Sequence, residues 1–524
     1  MSEQQADDRP REAAAVPADL PLTAADPEVA SFAAELRPKG AASFQLTRWL
    51  FLRALGFIYV VAFAILVSQG QALIGSQGLL PAVRYLERIK RIVGFAEHPT
   101  LFWSYASDGV LQAAAITGLA LALLMLAGVD HLAVSALLWL LYISFVHIGQ
   151  IFYGYGWETL LLETGFLAIF LGTLRTWTSL RDAQPMPRIM FVWLWWLLFR
   201  LMLGAGLIKL RGDTCWRDLT CMYYHYETQP VPHPLSRVLH FAPAWFHQIE
   251  VLFNHFVEVL VPFGLFVPRL RNIAALLVIA FQALLIVSGN LSFLNWLTIA
   301  VAIGCIDDGV WRRVLPGRVR AGPVAERSSR GRLVAVGAYS CVVLLLSIEP
   351  ALNLLSAQQQ MNSSFEPLHL VNTYGAFGSI GRDRDEVILE GTEDPDPRGG
   401  HYRAYELKCK PGAVDRAPCL ITPYHYRLDW QMWFAALSSF DRQPWLASLI
   451  YKLLHNDKSA LGLIANNPFP DAPPRFIRAE RYRYRFTKLG ATGYWERERI
   501  GSYAPALSRD DPRLLRFLSS YGLR

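Results

Sequence analysis

Lys209 closes a long apolar run, FVWLWWLLFRLMLGAGLIK, and the chain then changes character. Residues 211–248 hold Cys215, Cys221, His225, Glu227 and a crowd of aromatics, and a helical stretch behind them carries His247, Glu250, Asn254, His255 and Glu258. Lipid-facing sequence has no use for so many hydrogen-bonding groups, because hydrocarbon offers them no partner. Two chemistries are open to Lys209. A lysine at a helix end snorkels its ammonium to the interface and serves as an anchor. A buried amine instead gives up its proton more easily and can act as a base; His225, His255 and Glu258 would then line the same cavity. His247 and Glu250, and again His255 and Glu258, are spaced so that each pair shares a helix face. Di-metal carboxylate bundles use the reverse order, Glu-x-x-His, from two helices. This stretch supplies only one side and has no HExxH, so no metal is expected and a polar stripe facing a cavity or the neighbouring loop is.

Arg200 lies in mid-span. The rotation of about 100° per residue puts it on the opposite side of the helix from Lys209. Intramembrane charges face inward and pair, so an ion pair with Glu163 or Glu158 is expected. The cysteines divide by neighbourhood. Cys215 and Cys221 fall in the polar loop, Cys409 and Cys419 in the last third, and Cys305 and Cys341 in apolar runs. Two outside pairs suit an oxidising compartment. Either Cys215–Cys221 with Cys409–Cys419, or a crossed pairing, would be structural; neither has the C-x-x-C spacing of a redox catalyst. There is no P-loop, no G-x-S-x-G and no dinucleotide fingerprint, and no cofactor is implied.

The elements that position these groups follow from hydropathy. The chain has 524 residues, 53% hydrophobic, with a net charge of +7 and mean hydropathy +0.25. Apolar runs crowd between residues 48 and 350, while both ends are polar. Helices of roughly 20 apolar residues span a bilayer. Candidates lie at 48–69, 108–128, 132–152, 158–174, 188–210, 250–268, 271–289, 291–307 and 332–349. The expected fold is a polytopic α-helical membrane protein of about seven to nine spans with a C-terminal soluble α+β domain. Residues 1–45, rich in Ala, Pro, Asp and Glu, read as a disordered cytoplasmic tail. Residues 46–350 form the membrane domain with its outer loop at 211–248, and residues 351–524 the outer domain. The positive charge sits in loops between apolar runs, which argues against nucleic acid and for membrane orientation. Arg312, Arg313, Arg318, Arg320, Arg327, Arg330 and Arg332 against Glu326 mark one loop as cytoplasmic, with Arg175, Arg181 and Arg188, and Arg269 and Arg271, on the same side. That places 351–524 outside. Arg84, Arg88, Lys90 and Arg91 fall on the wrong side by this count, and an amphipathic helix on the membrane surface would accommodate them.

Past residue 350, FEPLHLVNTYGAFGSIGRDRDEVILEGT reads as strands with glycine turns, HYRAYELKCK as a further strand, residues 428–465 as helical, and RFIRAERYRYRFTK as a two-sided strand. YYHYETQPVPHP, with three prolines, reads as extended.

The stretch GAGLIKLRGDTCWRDLTCMYYHYETQPVPHP through WFHQIEVLFNHFVEVLVPF resembles the lipase maturation factor family. So do GWETLLLETGFLAIFLG, HLVNTYGAFGSI, RLDWQMWFAAL, NPFP and the YRYRFT run. The resemblance covers most of the chain from about residue 50 and implies a multi-span membrane protein, its C-terminal domain outside the cytoplasm, that helps lipase clients reach their active fold. No agreed catalytic residues come with it. It assigns client binding to the region from His369 onward, where Tyr374, Phe377, Trp430, Trp433 and Trp445 are candidate contacts, with core packing as the competing reading. The Ala/Arg-rich composition suggests a bacterial inner membrane and periplasm in place of the endoplasmic reticulum of the animal members. Partners are then a protein client and membrane lipids. GLIKLRGDTCW also resembles the lysine region of vitamin K-dependent γ-glutamyl carboxylases. That implies the competing function, a membrane enzyme using Lys209 as base. A transporter is a third reading, resting only on Gly289–Leu291.

Overall fold

The computed structural model describes residues 43–174, 186–317, 319 and 328–524. Most of the tail expected at 1–45, together with Arg175, Arg181, Arg318, Arg320, Glu326 and Arg327, lies outside the described residues.

Length sorts the apolar helices. Six among the described residues are long and apolar enough to cross a membrane: Gln45–Ile74, Asp108–Ala127, Ile189–Arg211, Ala244–Phe266, Arg271–Ser288 and Arg330–Leu355. Leu294–Ile303 and Asp308–Val314 add a seventh if the pair, bent by 108°, is one span. The chain is a polytopic α-helical membrane protein with six to seven candidate spans. The hydropathy count ran higher because of Leu132–Ile148 and Gly156–Leu171, helices of 17 and 16 residues. At about 1.5 Å per residue each reaches about 25 Å, short of a hydrocarbon core of about 30 Å. Gly156–Leu171 is mostly buried, Glu158 and Glu163 included.

The helices are tied at their ends by side chains. The Asp308 carboxylate accepts from the backbone N–H of Gln45 at 2.8 Å and of Thr47 at 3.1 Å, satisfying donors left open at the start of the first span. Pro262 withdraws the donor that would serve the Glu258 carbonyl, and the helix widens to a π turn over Phe256–Leu260. Opposite that turn stands Gly206. A Cβ there would lie 2.7 Å from Val259 Cγ2 and 3.0 Å from Glu258 Cβ, so the glycine allows Ile189–Arg211 and the π turn to touch backbone to backbone.

Beyond the last span, the strands β1 (Arg384–Thr392), β2 (Arg403–Ala404), β3 (Glu406–Leu407), β4 (Ile464–Asn466), β5 (Phe476–Phe486) and β6 (Trp495–Leu507) build an antiparallel sheet of order β2-β1-β5-β6 and a small β3-β4 pair. Val387 faces Arg481 across β1 and β5, and Tyr484 faces Arg497 across β5 and β6. Helix Arg427–Ala436 packs on β1, and helix Pro444–Leu453 lies against the helix Pro512–Ser520, with Trp445 and Leu446 fully buried; the Tyr503 hydroxyl donates to the Ala435 carbonyl at 2.9 Å. From Phe44 onward the described chain packs as a single unit.

Two expectations need correcting. Residues 369–380 form no strand, because this segment spends its polar groups on the membrane helices rather than on a ladder. The 223–234 segment is not extended throughout. Met222–Thr228 is helical and Pro234–His240 is a second helix. All three prolines come after the first helix has ended, and Pro234 sits in the opening turn of the second, where a missing N–H costs nothing. The basic loop between the first two spans also finds a partner. Arg84 Nη1 donates to the Gly522 carbonyl at 2.7 Å, so this loop and the C-terminus share one side.

Gly206→Ala is expected to lower the unfolding temperature in detergent, with overpacking of about 1–3 kcal/mol. An unchanged melting curve would show that the helix contact tolerates a methyl group.

Candidate functional site

Lys209 is buried and fully engaged. Its amine lies 2.7 Å from both Glu258 carboxylate oxygens and 2.8 Å from Asn254 Oδ1, so each of its three protons has an acceptor. Asn254 Nδ2 in turn donates to Glu258 Oε2 at 3.0 Å. The ring of Trp216 covers the ammonium at 4.9 Å. Trp216 gets there because Asp213 caps the backbone N–H of Cys215 at 3.0 Å and starts the short helix Thr214–Arg217. Cys215 and Cys221 are joined, and both are fully buried. Cys409 is joined to Cys419; Cys305 and Cys341 are free. His255 Nε2 is 3.0 Å from the Trp216 carbonyl and therefore carries the proton there. His225 packs edgewise on Phe377 with ring centres 5.1 Å apart. His247 Nδ1 is 2.9 Å from Glu250, which also accepts from the Tyr226 hydroxyl.

Arg200 serves a second cluster on the other side of its helix. It pairs with Glu163 and donates to the Asn372 carbonyl at 2.6 Å. Glu163 also accepts from Asn372 N at 2.9 Å, Asn372 Nδ2 at 3.1 Å and the Tyr374 hydroxyl at 2.7 Å. Burial and the Glu163 charge hold the Tyr374 hydroxyl well above the ordinary phenol range, so it stays a donor. Glu158 takes a different partner. Arg427 of the C-terminal region reaches it at 2.8 Å and lies 3.5 Å over the Tyr153 ring; Trp157 Nε1 donates to the same carboxylate at 2.9 Å. Outside the spans, Arg384 donates to the carbonyls of Glu227, Gln229 and Pro230 at 2.7, 2.5 and 3.1 Å. Its neighbour Glu386 is paired with Arg384 and Lys410 in full burial.

The aromatic candidates are mostly interior. Tyr374, Trp430 and Trp445 are buried. Trp430 meets Trp157 edgewise at 4.9 Å, and Trp433, half-buried, donates to the Thr228 carbonyl at 3.0 Å. Phe377 is half-buried against the Cys215–Cys221 cluster. Phe434, on the helix of Trp433, and Leu437, just past its end, are exposed. Asn372, Arg384, Lys410 and Arg427 were not singled out from sequence. Only Arg427 left a signal, as a cation opening an apolar helix with no acid of its own spacing.

The two ends of these clusters fall in two matched regions. The chain matches the model of the lipase maturation factor transmembrane domain over residues 46–313, and that of the lipase maturation factor C-terminal domain over residues 370–505. It belongs to the lipase maturation factor family. Lipase maturation factor 1 of Bos taurus is 47% identical over 509 residues, covering 90% of this chain and 91% of its own. The Homo sapiens protein of the same name is 45% identical over 510 residues, covering 90% and 89%. Lipase maturation factor 2 of Mus musculus is 31% identical over 608 residues, covering 92% and 86%. No solved structure matches the chain. Glu163, Arg200, Lys209 and Glu258 lie in the first matched region and Asn372, Tyr374 and Arg427 in the second.

Removing one member of a buried pair strands the other charge, at a cost of about 3–5 kcal/mol. Lys209→Met is therefore expected to destabilise the protein strongly, and Lys209→Met with Glu258→Met to recover most of the loss in detergent melting. Failure of the double variant to recover would assign the lysine a role beyond its pair.

A second expectation concerns acid. Burial, aided by the Lys209 charge, lowers His225 from 6.5 to about 4, and burial, aided by His98, lowers His369 to about 4. The native state thus binds fewer protons than the unfolded chain between these limits. The stability these neutral rings contribute is present above pH 6.5 and is lost as pH falls toward 4. Unfolding temperature should drop over that window, and less so in His369→Gln; a flat profile would refute the assignment.

Proposed function

We propose that this protein is a membrane-embedded maturation factor that holds a lipase-type client while it folds or assembles. The observation that carries this is the match over about nine-tenths of both chains to proteins named lipase maturation factor 1. Residues 351–524, together with the part of the 211–248 loop that precedes Pro234, form the working face in this reading, held on the membrane helices by the Glu163, Glu158 and Arg384 contacts. Client contact falls on Phe377 and Trp433 with the exposed Phe434 and Leu437, since interface anchors favour aromatics. Tyr374 and Trp430 support that surface from beneath. The working face lies outside the cytoplasm, in the periplasm for a bacterial inner membrane or the lumen for an endoplasmic reticulum member. Two disulfides favour that side.

The arrangement around Lys209 favours a positioning role over base chemistry. An ammonium that donates its N–H groups to Glu258 and Asn254 has none left to offer a substrate. The buried sulfurs of Cys215 and Cys221 give a client thiolate no approach, which favours a staple over redox exchange.

The test is complementation. Cells lacking their own family member are given this chain and a secreted lipase, and the specific activity and intact mass of the lipase are recorded. Activity should rise several-fold with the mass unchanged. No rise would overturn the proposal, and a mass shift that disappears with the Lys209→Met/Glu258→Met chain would put a modifying enzyme in its place.

A further inference from the structure

The helix Pro234–His240 has two unlike faces. Its inner face is fixed. Ser236 Oγ donates to the Ser288 carbonyl at 2.9 Å, at the last residue of the Arg271–Ser288 span, and Pro232 bridges to Gly289 next to it. Arg237 reaches the other way and donates to the Thr487 and Lys488 carbonyls at 3.0 and 2.6 Å and to Thr487 Oγ1 at 2.8 Å. The outer face carries Leu235, Val238 and Phe241, all exposed, with Val238 at 51%. Leu489, in the turn that Arg237 holds, is exposed as well, and so is its neighbour Lys488.

This apolar face does not stand alone. Trp245, 61% exposed, follows at the start of the Ala244–Phe266 span, and below it Ile249, Leu252, Phe256, Leu260 and Phe263 are exposed in one stripe. On a spanning helix such a stripe is the lipid-facing side. The level of the short helix is set by its bond to the end of a span, which is where headgroups begin, and Trp245 suits the aromatic belt at that depth. A short amphipathic helix at this level buries its apolar side in the headgroup–acyl boundary.

We propose that Pro234–His240, with Phe241, Trp245 and Leu489, is a bilayer-interface anchor seated on lipid. Continuity with the lipid-facing stripe selects the bilayer over a protein partner as the occupant. Through Arg237 the anchor also fixes the β5–β6 turn, and with it the edge of the sheet, at a constant height over the membrane.

Val238 is exposed, so Val238→Cys is tolerated and can carry an environment-sensitive fluorophore, with Cys341→Ser removing the exposed free thiol. The full chain is placed in nanodiscs with or without lipid bearing a nitroxide near the top of its acyl chain. Glu498→Cys, on the exposed β6, is the control. Most of the Val238→Cys fluorescence should be lost to the nitroxide lipid while the control keeps its signal. Equal behaviour of the two sites would overturn the proposal. So would an insensitive Val238→Cys probe that shifts to the blue only when a folding lipase is added, which would make the patch a client surface.

Discussion

The carboxylate of Glu163 is the constraint on which the arrangement depends. It sits inside a helix bundle, where an unpaired charge costs several kcal/mol even after relaxation. Arg200 neutralises it from one helix, yet a carboxylate has more acceptor sites than one guanidinium fills. Asn372 and Tyr374 of the C-terminal region occupy the rest. The C-terminal region is thus part of the solution to a charge buried among the membrane helices.

The same logic recurs twice. Arg427 of the C-terminal region meets Glu158, and Arg384 gathers three carbonyls of the polar loop. Between helices in lipid there is little hydrophobic drive, so packing and polar contacts decide association. Contacts of this kind are directional and specify one docking position, which a greasy interface would not. Lys209 and Glu258 add a bond within the membrane part alone, made possible by the close approach at Gly206 and the π turn opposite it. The result fixes the C-terminal region in one position over the membrane helices.

Much of this was legible beforehand, though unevenly. The apolar runs announced the spans, and the two-sided alternation of RFIRAERYRYRFTK announced β5. The pairing of Arg200 with an acid followed from the cost of a charge in lipid, although either Glu163 or Glu158 satisfied that argument; the choice needed the position of Arg427. HLVNTYGAFGSI carries the glycines and β-branched residues of strands, and its side chains nevertheless bind the bundle and leave its backbone irregular. Tyr374 and Trp430 illustrate a further limit. An aromatic in an outer segment reads equally as a surface anchor or as packing, and only the neighbours that cover it distinguish the two.

The sequence by itself determined that this is a membrane protein of many spans, its family, and which groups could not face lipid. These follow from local composition, periodicity and the ordered strings that carry the resemblance. Folding in three dimensions settled the partners: Lys209 with Glu258 and Asn254 instead of the interface, Arg427 with Glu158, Cys215 with Cys221 rather than with Cys409 or Cys419. The longest-range of these choices depend on distances between segments more than two hundred residues apart, as with Glu158 and Arg427 or Glu163 and Tyr374. No local pattern encodes such a distance, because it is set by how all the helices pack at once.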